Sequence, residues 1–548
     1  MPRSRSGASP SVPTRARRAV MALAGLSCVA LASGSCVPAW TPHVAAPSAT
    51  SLTPDITGPL RVHLRSGEMI IASAWAEDTA ARTLRVDGIA YSAQRAVVGV
   101  AQRAIPIDSV ALVQSYTSGT AYAFGLTMLA VWGTATTFVA GSCLADPKSC
   151  FGSCPTFYLP GDTTFIHAEG FSASPLKMLE ATDVDHLYFA PARTSSIDIV
   201  MRNEALETHA VRSLRVLAVP RPVGAKVFHT PDNTMIPTFA AVTPTVCTSA
   251  TGDCAAAIAA MDTSEWQSRT DSTDLAAREF VTLAFDRPSA PLSPTASANG
   301  FAIIIGARHT LVSTYLFYQA LAFAGERAGD LLAQLERRGT AAEPPLFDAL
   351  RRIGAIDVSV STDSVTWVAA GQLLEAGPLA TDPQALPITL PAAAQRVYVR
   401  LSLTKGYWRV NHVALAARGA PIVAVAVLPD SVVADGITAM SGRVDARAAL
   451  RDSSRVLITG PGDRYRLHFS LPTQTRTDTD GWELFLESTG WYYEWMRPAW
   501  KRDENALRAA QLLYAPFEAF RALAPDYKQR EATNERAFLD SRITRPRP

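Results

Sequence analysis

The chain has 548 residues, enough for several domains. Apolar residues make up 48% and charged residues 18%, which excludes a disordered chain, and the net charge of +2 gives no electrostatic basis for binding nucleic acid or an acidic substrate. The 37 prolines and 32 glycines suit a β-rich chain with many turns, and the strand patterns along it give an expected class of mainly β with helical insertions: a small SH3-like barrel, a β-rich middle domain, a β-sandwich, and further β structure with C-terminal helices.

The N-terminus carries the features of an export signal. Arg3, Arg5, Arg15, Arg17 and Arg18 form a basic stretch, and Ala19–Ala32 is apolar but short for a membrane span. Ser33, Gly34 and Ser35 then lead into Cys36, in the manner of a bacterial lipobox, although Ser33 stands where a larger apolar residue is usual. Lipidation at Cys36 is one reading and ordinary cleavage after Ser35 is the other. Residues 1–36 are therefore expected to be a signal, and 37–59, rich in Pro, Ala, Ser and Thr, a linker.

Residues 60–116 alternate apolar and polar positions around Ser66-Gly67 and Asp87-Gly88 turns, and close with Ile105, Ile107, Val110 and Leu112. Several short strands in so few residues predict the small barrel. Residues 117–142 are an apolar helical segment, and Gly119–Gly141 is long enough to span a bilayer. A single span there would move the following cysteines into a reducing compartment, so a buried or membrane-apposed hairpin stands against a true span. Those cysteines, Cys143, Cys150, Cys154, Cys247 and Cys254, fall in two loops and read as local disulfides with one thiol left over. The pair Cys247 and Cys254 encloses a short Thr/Ser/Gly/Asp loop that can close. Zinc is the competing reading of the first group, which lacks a CxxC pair and a nearby histidine.

Residues 143–275 read as a β-rich domain and 276–420 as a sandwich with a helical insertion at 310–339. In that insertion Leu311, Tyr315, Tyr318 and Ala322 recur at three or four, and Gly325 and Gly329 break the helix. In the sandwich Val358 and Val360 alternate with Asp357, Ser359 and Ser361, a Thr362-Asp363-Ser364 turn follows, and Trp367 lies on the return. Val397, Val399, Leu401 and Leu403 alternate again. This pattern, "STD…W" followed by "RVYVRLSLTKGYWRVNHVALA", resembles the galactose-binding-like, discoidin-type jelly roll, which implies a sandwich between Glu279 and Ala417 with the Thr310–Gly339 helices outside it. The longer run from "SCPTFYL" through "VMRNEALETHAVRSLRVLAVPRPVG" to "GPGDRYRLHF…GWELFLESTGW" resembles an uncharacterised family of bacterial exported proteins. Residues 421–500 return to β structure, and 501–548 form a helical tail with breaks at Pro516 and Pro525.

No catalytic set assembles from motifs. G-x-S-x-G is missing, and Ser174-Pro-Leu-Lys177 satisfies S-x-x-K without the partners that penicillin-recognising enzymes need. H-E-x-x-H is missing too, so neither a metal nor a cofactor is implied. Arg476–Glu487 imitates a calcium loop with Arg476 at the position that needs a carboxylate, and a plain Asp480-Gly481 turn is the simpler reading. Trp482, Trp491, Tyr492, Tyr493, Trp495 and Trp500 crowd 19 residues, as a core, an interface or a sugar platform. Lys405, Tyr407, Trp408 and Arg409, between the last two sandwich strands, are the candidate glycan-binding loop, with Trp408 as core the alternative. Glu169 with Asp183 or Asp185 is a carboxylate pair an enzyme would need. The expectation is a non-enzymatic, membrane-anchored, extracytoplasmic protein of the bacterial cell envelope. It would be held by a lipid or by the apolar segment, and would bind a glycan or an envelope protein but no nucleic acid. A hydrolase of glycan or peptide is the rival.

Overall fold

A computed structural model describes residues 38–45, 60–120 and 155–540, apart from short stretches at 65, 67, 93–96, 162–164, 206, 289–295, 329–330, 333–334, 336–343, 375–376, 435–444, 461, 475–477, 496–499 and 501–502. The chain is mainly β, in several sheets, with helices at the C-terminal end. Cys36, Cys143, Cys150, Cys154 and most of Gly119–Gly141 lie outside the described residues.

The N-terminal unit wraps five strands, Leu60–Leu64, Met69–Asp78, Thr83–Tyr91, Val97–Pro106 and Val110–Thr120, around one small core that includes Leu60, Val62, Ile70, Leu84, Ile105 and Val113. The alternation read from the sequence supplies these inward residues. The linker expectation needs correction: Pro38–Ala45 is a strand, antiparallel to Val110–Thr120 from Pro38 opposite Thr120 to Ala45 opposite Val113. The last barrel strand presents unpaired backbone groups at its edge, and a segment with Pro38 and Pro42 can pair there because an edge strand uses only one side of its backbone.

Two sandwiches follow, one inserted in the other. In the outer, split sandwich, one sheet orders Ser431–Ala434, Arg464–Ser470, Ser196–Arg202, Thr156–Tyr158 and Ala168–Glu169. The other orders Val425–Val427, Glu207–Pro222, Thr479–Glu494 and Ala181–His186, with Leu457–Thr459 also on Glu207–Pro222. Ile197, Ile199 and Met201 of the first sheet share a core with Leu214, Val216, Leu484 and Leu486 of the second. Residues 143–275 and 421–500 are thus not separate domains. Glu207–Pro222 pairs along its length with Thr479–Glu494, because a strand pairs with whichever edge buries its apolar face, however far away in sequence.

The inserted sandwich begins earlier than expected, at Lys226. Strands Lys226–His229, Met235–Val242, Asp382–Thr389, Ala296–His309 and Trp408–Gly419 form a closed ring of five, with Trp266–Gln267 on its outside. Facing it is a sheet of Gly252–Asp253, Val246–Ser249, Arg278–Asp286, Arg396–Thr404, Ala355–Ser361 and Val368–Leu374. The run FAIIIGA is apolar at every position because both of its faces are covered: Phe301, Ile303 and Ile305 meet the facing sheet, while Ala302 and Ile304 meet Phe228 and Ile236 of the ring. Cys247 and Cys254 are disulfide-bonded, with Cα atoms 5.1 Å apart.

The insertion is not outside the sandwich. The helix Val312–Ala324 is mostly apolar and buried on most of its surface, with Ser313, Thr314, Phe317 and Gln319 half-buried. Tyr315 and Phe323 join the sandwich core, and Tyr318 and Leu321 pack with Trp491 and Trp500 of the neighbouring unit. A second helix, Pro345–Ile353, was not anticipated; Leu346, Phe347 and Ile353 are its buried face. In the tail, Ala506–Tyr514 and Pro516–Asp540 bury Leu512, Phe520, Leu523 and Tyr527 against the same core. Pro516 starts the second of these helices, as its missing N–H allows, but Pro525 lies within the helix and does not end it. Among the described residues, no helix is long and apolar enough to cross a membrane.

Candidate functional site

Two edge strands of the split sandwich, Ala168–Glu169 and Ala181–His186, meet the inserted sandwich. An edge strand has backbone groups to satisfy, and here side chains do it across the join. Asp382 accepts from the His186 backbone at 2.9 Å and from His229 Nε2 at 2.7 Å. Glu169 accepts from the backbone N–H groups of Leu379 at 2.7 Å and Ala380 at 3.2 Å through one oxygen. Its other oxygen, Oε1, is buried with no partner among the described residues.

Between these strands and the helical insertion lies a cavity of about 570 Å³, a size that suits a small ligand. Glu169, Asp183 and His229 line one side; Phe317, Tyr318, Phe347, His309 and Tyr407 line the other, and Tyr492 and Glu494 also contribute. The Tyr318 hydroxyl donates to Glu494 at 2.6 Å. Gly377 lies against Glu169 at a φ of +157°: a Cβ there would stand 2.6 Å from Glu169 Oε2, so the backbone reaches the carboxylate only because the residue is glycine.

The electrostatics of the cavity are unusual for a join between domains. Burial pushes Glu169 up to about 7, against the two backbone donors and Ser172, and the charge of Asp183 adds to the rise. Burial also raises Asp183, helped by the nearby Asp382 charge and opposed by His229. Burial alone would depress His229, but the charge and hydrogen bond of Asp382 outweigh it and keep the imidazole protonated above its ordinary range. His309 has no such partner. Burial drives it down to about 3, its ring bonds the Gly354 backbone, and Nε2 has no partner among the described residues. The site thus combines two carboxyl groups that change charge near neutrality, a fixed ion pair and a neutral imidazole. Such a set can accept hydrogen bonds, hold a cation or move a proton.

The residues expected from sequence are distributed differently. Tyr407, Trp408 and Arg409 are buried and Lys405 is part-exposed, so the four do not form an open glycan-binding loop; Tyr407 alone lines the cavity. Trp408 is core, packed against the His309 ring at 4.5 Å. Trp482, Trp491, Tyr492, Tyr493, Trp495 and Trp500 are all buried, as core or interface. Asp480 pairs with Arg193 and Arg221, and Glu487 with Arg215, so cations of the chain occupy the carboxylates of the imitated calcium loop. Ser174 is buried, and Lys177 lies over the Trp491 ring at 5.5 Å. Of the carboxylate pairs, Glu169 with Asp183 reaches the cavity, while Asp185 accepts from the Glu169 backbone at 3.3 Å. His229, His309 and Asp382 were missed. Their partners lie far off in the chain, with a sequence separation of 153 from His229 to Asp382, so no local spacing marks them. Among the described residues, no group of three or more His, Cys, Asp or Glu side chains is placed to hold a metal ion. No protein-family model matches the chain, and no curated protein matches it.

Proposed function

We propose that this protein is a lipid-anchored binding protein of the bacterial cell envelope that holds a small glycan-class ligand in the cavity between its two sandwiches. The cavity's composition carries the reading: carboxyl groups and an imidazole beside aromatic rings are the usual means of holding a polyhydroxylated ring. The resemblance of the inserted sandwich to galactose-binding-like jelly rolls favours the same ligand class. The site is moved from the sandwich tip to the sandwich join. The basic N-terminus and Cys36 favour export and lipidation, and the Cys247–Cys254 bond suits an oxidising compartment.

The binding test is retention of the purified mature protein on a glycan array, repeated with Asp183→Asn. Retention that the substitution abolishes supports the reading, and wild-type protein that retains on no glycan overturns it. Cys36→Ala should release the protein from membranes; a variant that stays bound would move the anchor to Gly119–Gly141. The rival hydrolase is favoured by one observation, the coexistence of Glu169 and Asp183 with raised proton affinity in one cavity. Oligosaccharide cleavage lost in both Glu169→Gln and Asp183→Asn would replace binding with catalysis.

A further inference from the structure

We propose that the outward face of the sheet carrying Arg278–Asp286 and Arg396–Thr404, in the inserted sandwich, is a second binding site and takes an acidic polysaccharide bearing sugar carboxylates. Phe280, Trp367, Tyr398 and Arg400 form it. None of the four lines the cavity, so this site stands or falls apart from the ligand proposed there.

The face follows from strand alternation and register. Val281, Leu283, Val399 and Leu401 point into the core, so Phe280, Thr282, Tyr398 and Arg400 point out. Arg400 stands opposite Thr282 on one neighbouring strand and Ser359 on the other, and Tyr398 stands opposite Ser361. Trp367 immediately precedes Val368, which pairs with Val360, so it lies beyond Ser361. Thr282, Ser359 and Ser361 are small and leave room above the sheet for the larger side chains. Phe280 is 56% exposed, and Trp367 and Tyr398 are half-buried.

Arg400 is held between two of these rings. Its guanidinium carbon lies 3.9 Å from the Trp367 ring centre and 5.4 Å from that of Phe280, and the two rings come from strands on opposite sides of it. Rings fix the group in place without using its N–H donors. Among the described residues, Arg400 has no carboxylate partner and no hydrogen-bond acceptor. The other charges of the face are matched: Arg278 pairs with Asp357, and Arg396 stands opposite Asp286 in the ladder. One positive charge is left over, among three aromatic rings.

Aromatic rings on a flat face suit the apolar faces of sugars, and a guanidinium fork held in place suits a carboxylate. A chain of uronic acids offers both in every residue. A peptide fits less well, because Arg278–Asp286, Arg396–Thr404 and Ala355–Ser361 are each paired on both sides and leave no backbone edge open on this face. A bilayer surface fits less well too, since its attraction needs a cluster of cations and this face has one to spare.

The test is affinity electrophoresis of the purified protein at pH 7 and low ionic strength, in gels containing polygalacturonate, its methyl-esterified counterpart or poly-glutamate. The expected result is retardation by polygalacturonate at about a tenfold lower concentration than by either control. Equal retardation by the methyl ester overturns the role of Arg400, equal retardation by poly-glutamate overturns the sugar platform, and no retardation by polygalacturonate overturns the site. Arg400→Gln and Trp367→Ala should each weaken the polygalacturonate effect about tenfold, with the melting curve still cooperative. Phe280→Ala, at the most exposed of the rings, is the second variant should Trp367→Ala fail to fold. A folded variant retarded as strongly as the wild type overturns the proposal. So does a loss of retardation in Asp183→Asn, which would give the polymer to the cavity.

Discussion

The two sandwiches hold their buried charge in different ways. In the inserted one, Arg308 pairs with Glu265 at 2.7 Å and Arg409 lies 3.9 Å from the same carboxylate. The split one adds imidazoles to its buried Arg202–Glu204 pair: His186 meets Glu483 at 3.0 Å and His209 meets Glu207 at 2.9 Å, and at the join His229 meets Asp382. Arginine stays charged over the whole range in which a protein folds, whereas imidazoles and desolvated carboxyl groups change state near neutrality. The arginine–glutamate cluster and apolar core of the inserted sandwich are thus a fixed frame. The cavity at the join, lined by Glu169 and Asp183 of the split sandwich and by His229 and His309 of the inserted one, answers to protons.

The largest effects should come from the fixed frame. Glu265→Ala removes the carboxylate that buried Arg308 meets at 2.7 Å, and should destabilise by about 3–5 kcal/mol at any pH. Trp408→Ala empties a fully buried site and should destabilise by about 3–5 kcal/mol. Urea unfolding at pH 6 and pH 8 checks both, since a loss that varied with pH would blur the division between frame and cavity.

The next effect is specific to the cavity. Glu169 in the fold sits at about 7, above its ordinary 4.5, so the native state binds its proton more tightly than the unfolded chain does. Its contribution is full below about 4.5 and is lost as pH rises through 7, a change of roughly 3 kcal/mol. Glu169→Gln removes this dependence: the variant should be more stable than the wild type at pH 8 and no better at pH 4. Asp183 acts in the same sense. His309 acts oppositely: it is driven down to about 3, so its neutral form stabilises above about 6.5 and that stability is lost as pH falls. Unfolding midpoints across pH 4–8 would separate the two, and an unchanged slope in Glu169→Gln would show that another group sets it.

Replacing Cys247 and Cys254 by serine should destabilise by about 2–3 kcal/mol, because the bond closes a loop with a sequence separation of 7. Non-reducing peptide mapping checks the bond and calorimetry the loss. The change falls on the outer sheet of the frame and should leave ligand binding unaltered.

The strands were legible where one face is buried. Val397, Val399, Leu401 and Leu403 announce a strand by period two, and Leu311, Tyr315 and Tyr318 a helix by period near four. Nesting was not legible. Nothing local in Glu207–Pro222 says that its partner begins at Thr479, because edge pairing depends on which apolar face is still uncovered. Burial of aromatics was equally hidden: Tyr407 and Trp408 fit a loop tip or a core by composition, and only the C-terminal helices, which bring Tyr527 into the same core, decide it. In the cavity, Glu169 and Asp183 were visible as a possible pair. His229, His309 and Asp382 come from distant segments and share no motif.

The smallest expected effect bears most directly on where a ligand sits. Of the residues at the sandwich tip, Lys405 alone reaches solvent, with 37% of its side chain exposed and Nζ 3.4 Å from Asp271. Its backbone N–H donates to Ala277, a bond that any residue but proline retains. An exposed pair of this kind contributes under about 0.5 kcal/mol, so Lys405→Ala should leave the melting curve nearly unchanged. Ligand retention should be unchanged as well, because Tyr407, two positions on, faces the join between the sandwiches, not the tip. A well-folded Lys405→Ala that no longer retains glycan would return the site to the loop and leave the cavity carboxylates as structural acids. Unaltered retention in Lys405→Ala, together with loss in Asp183→Asn, would assign binding to the cavity at the join and support to the fixed frame.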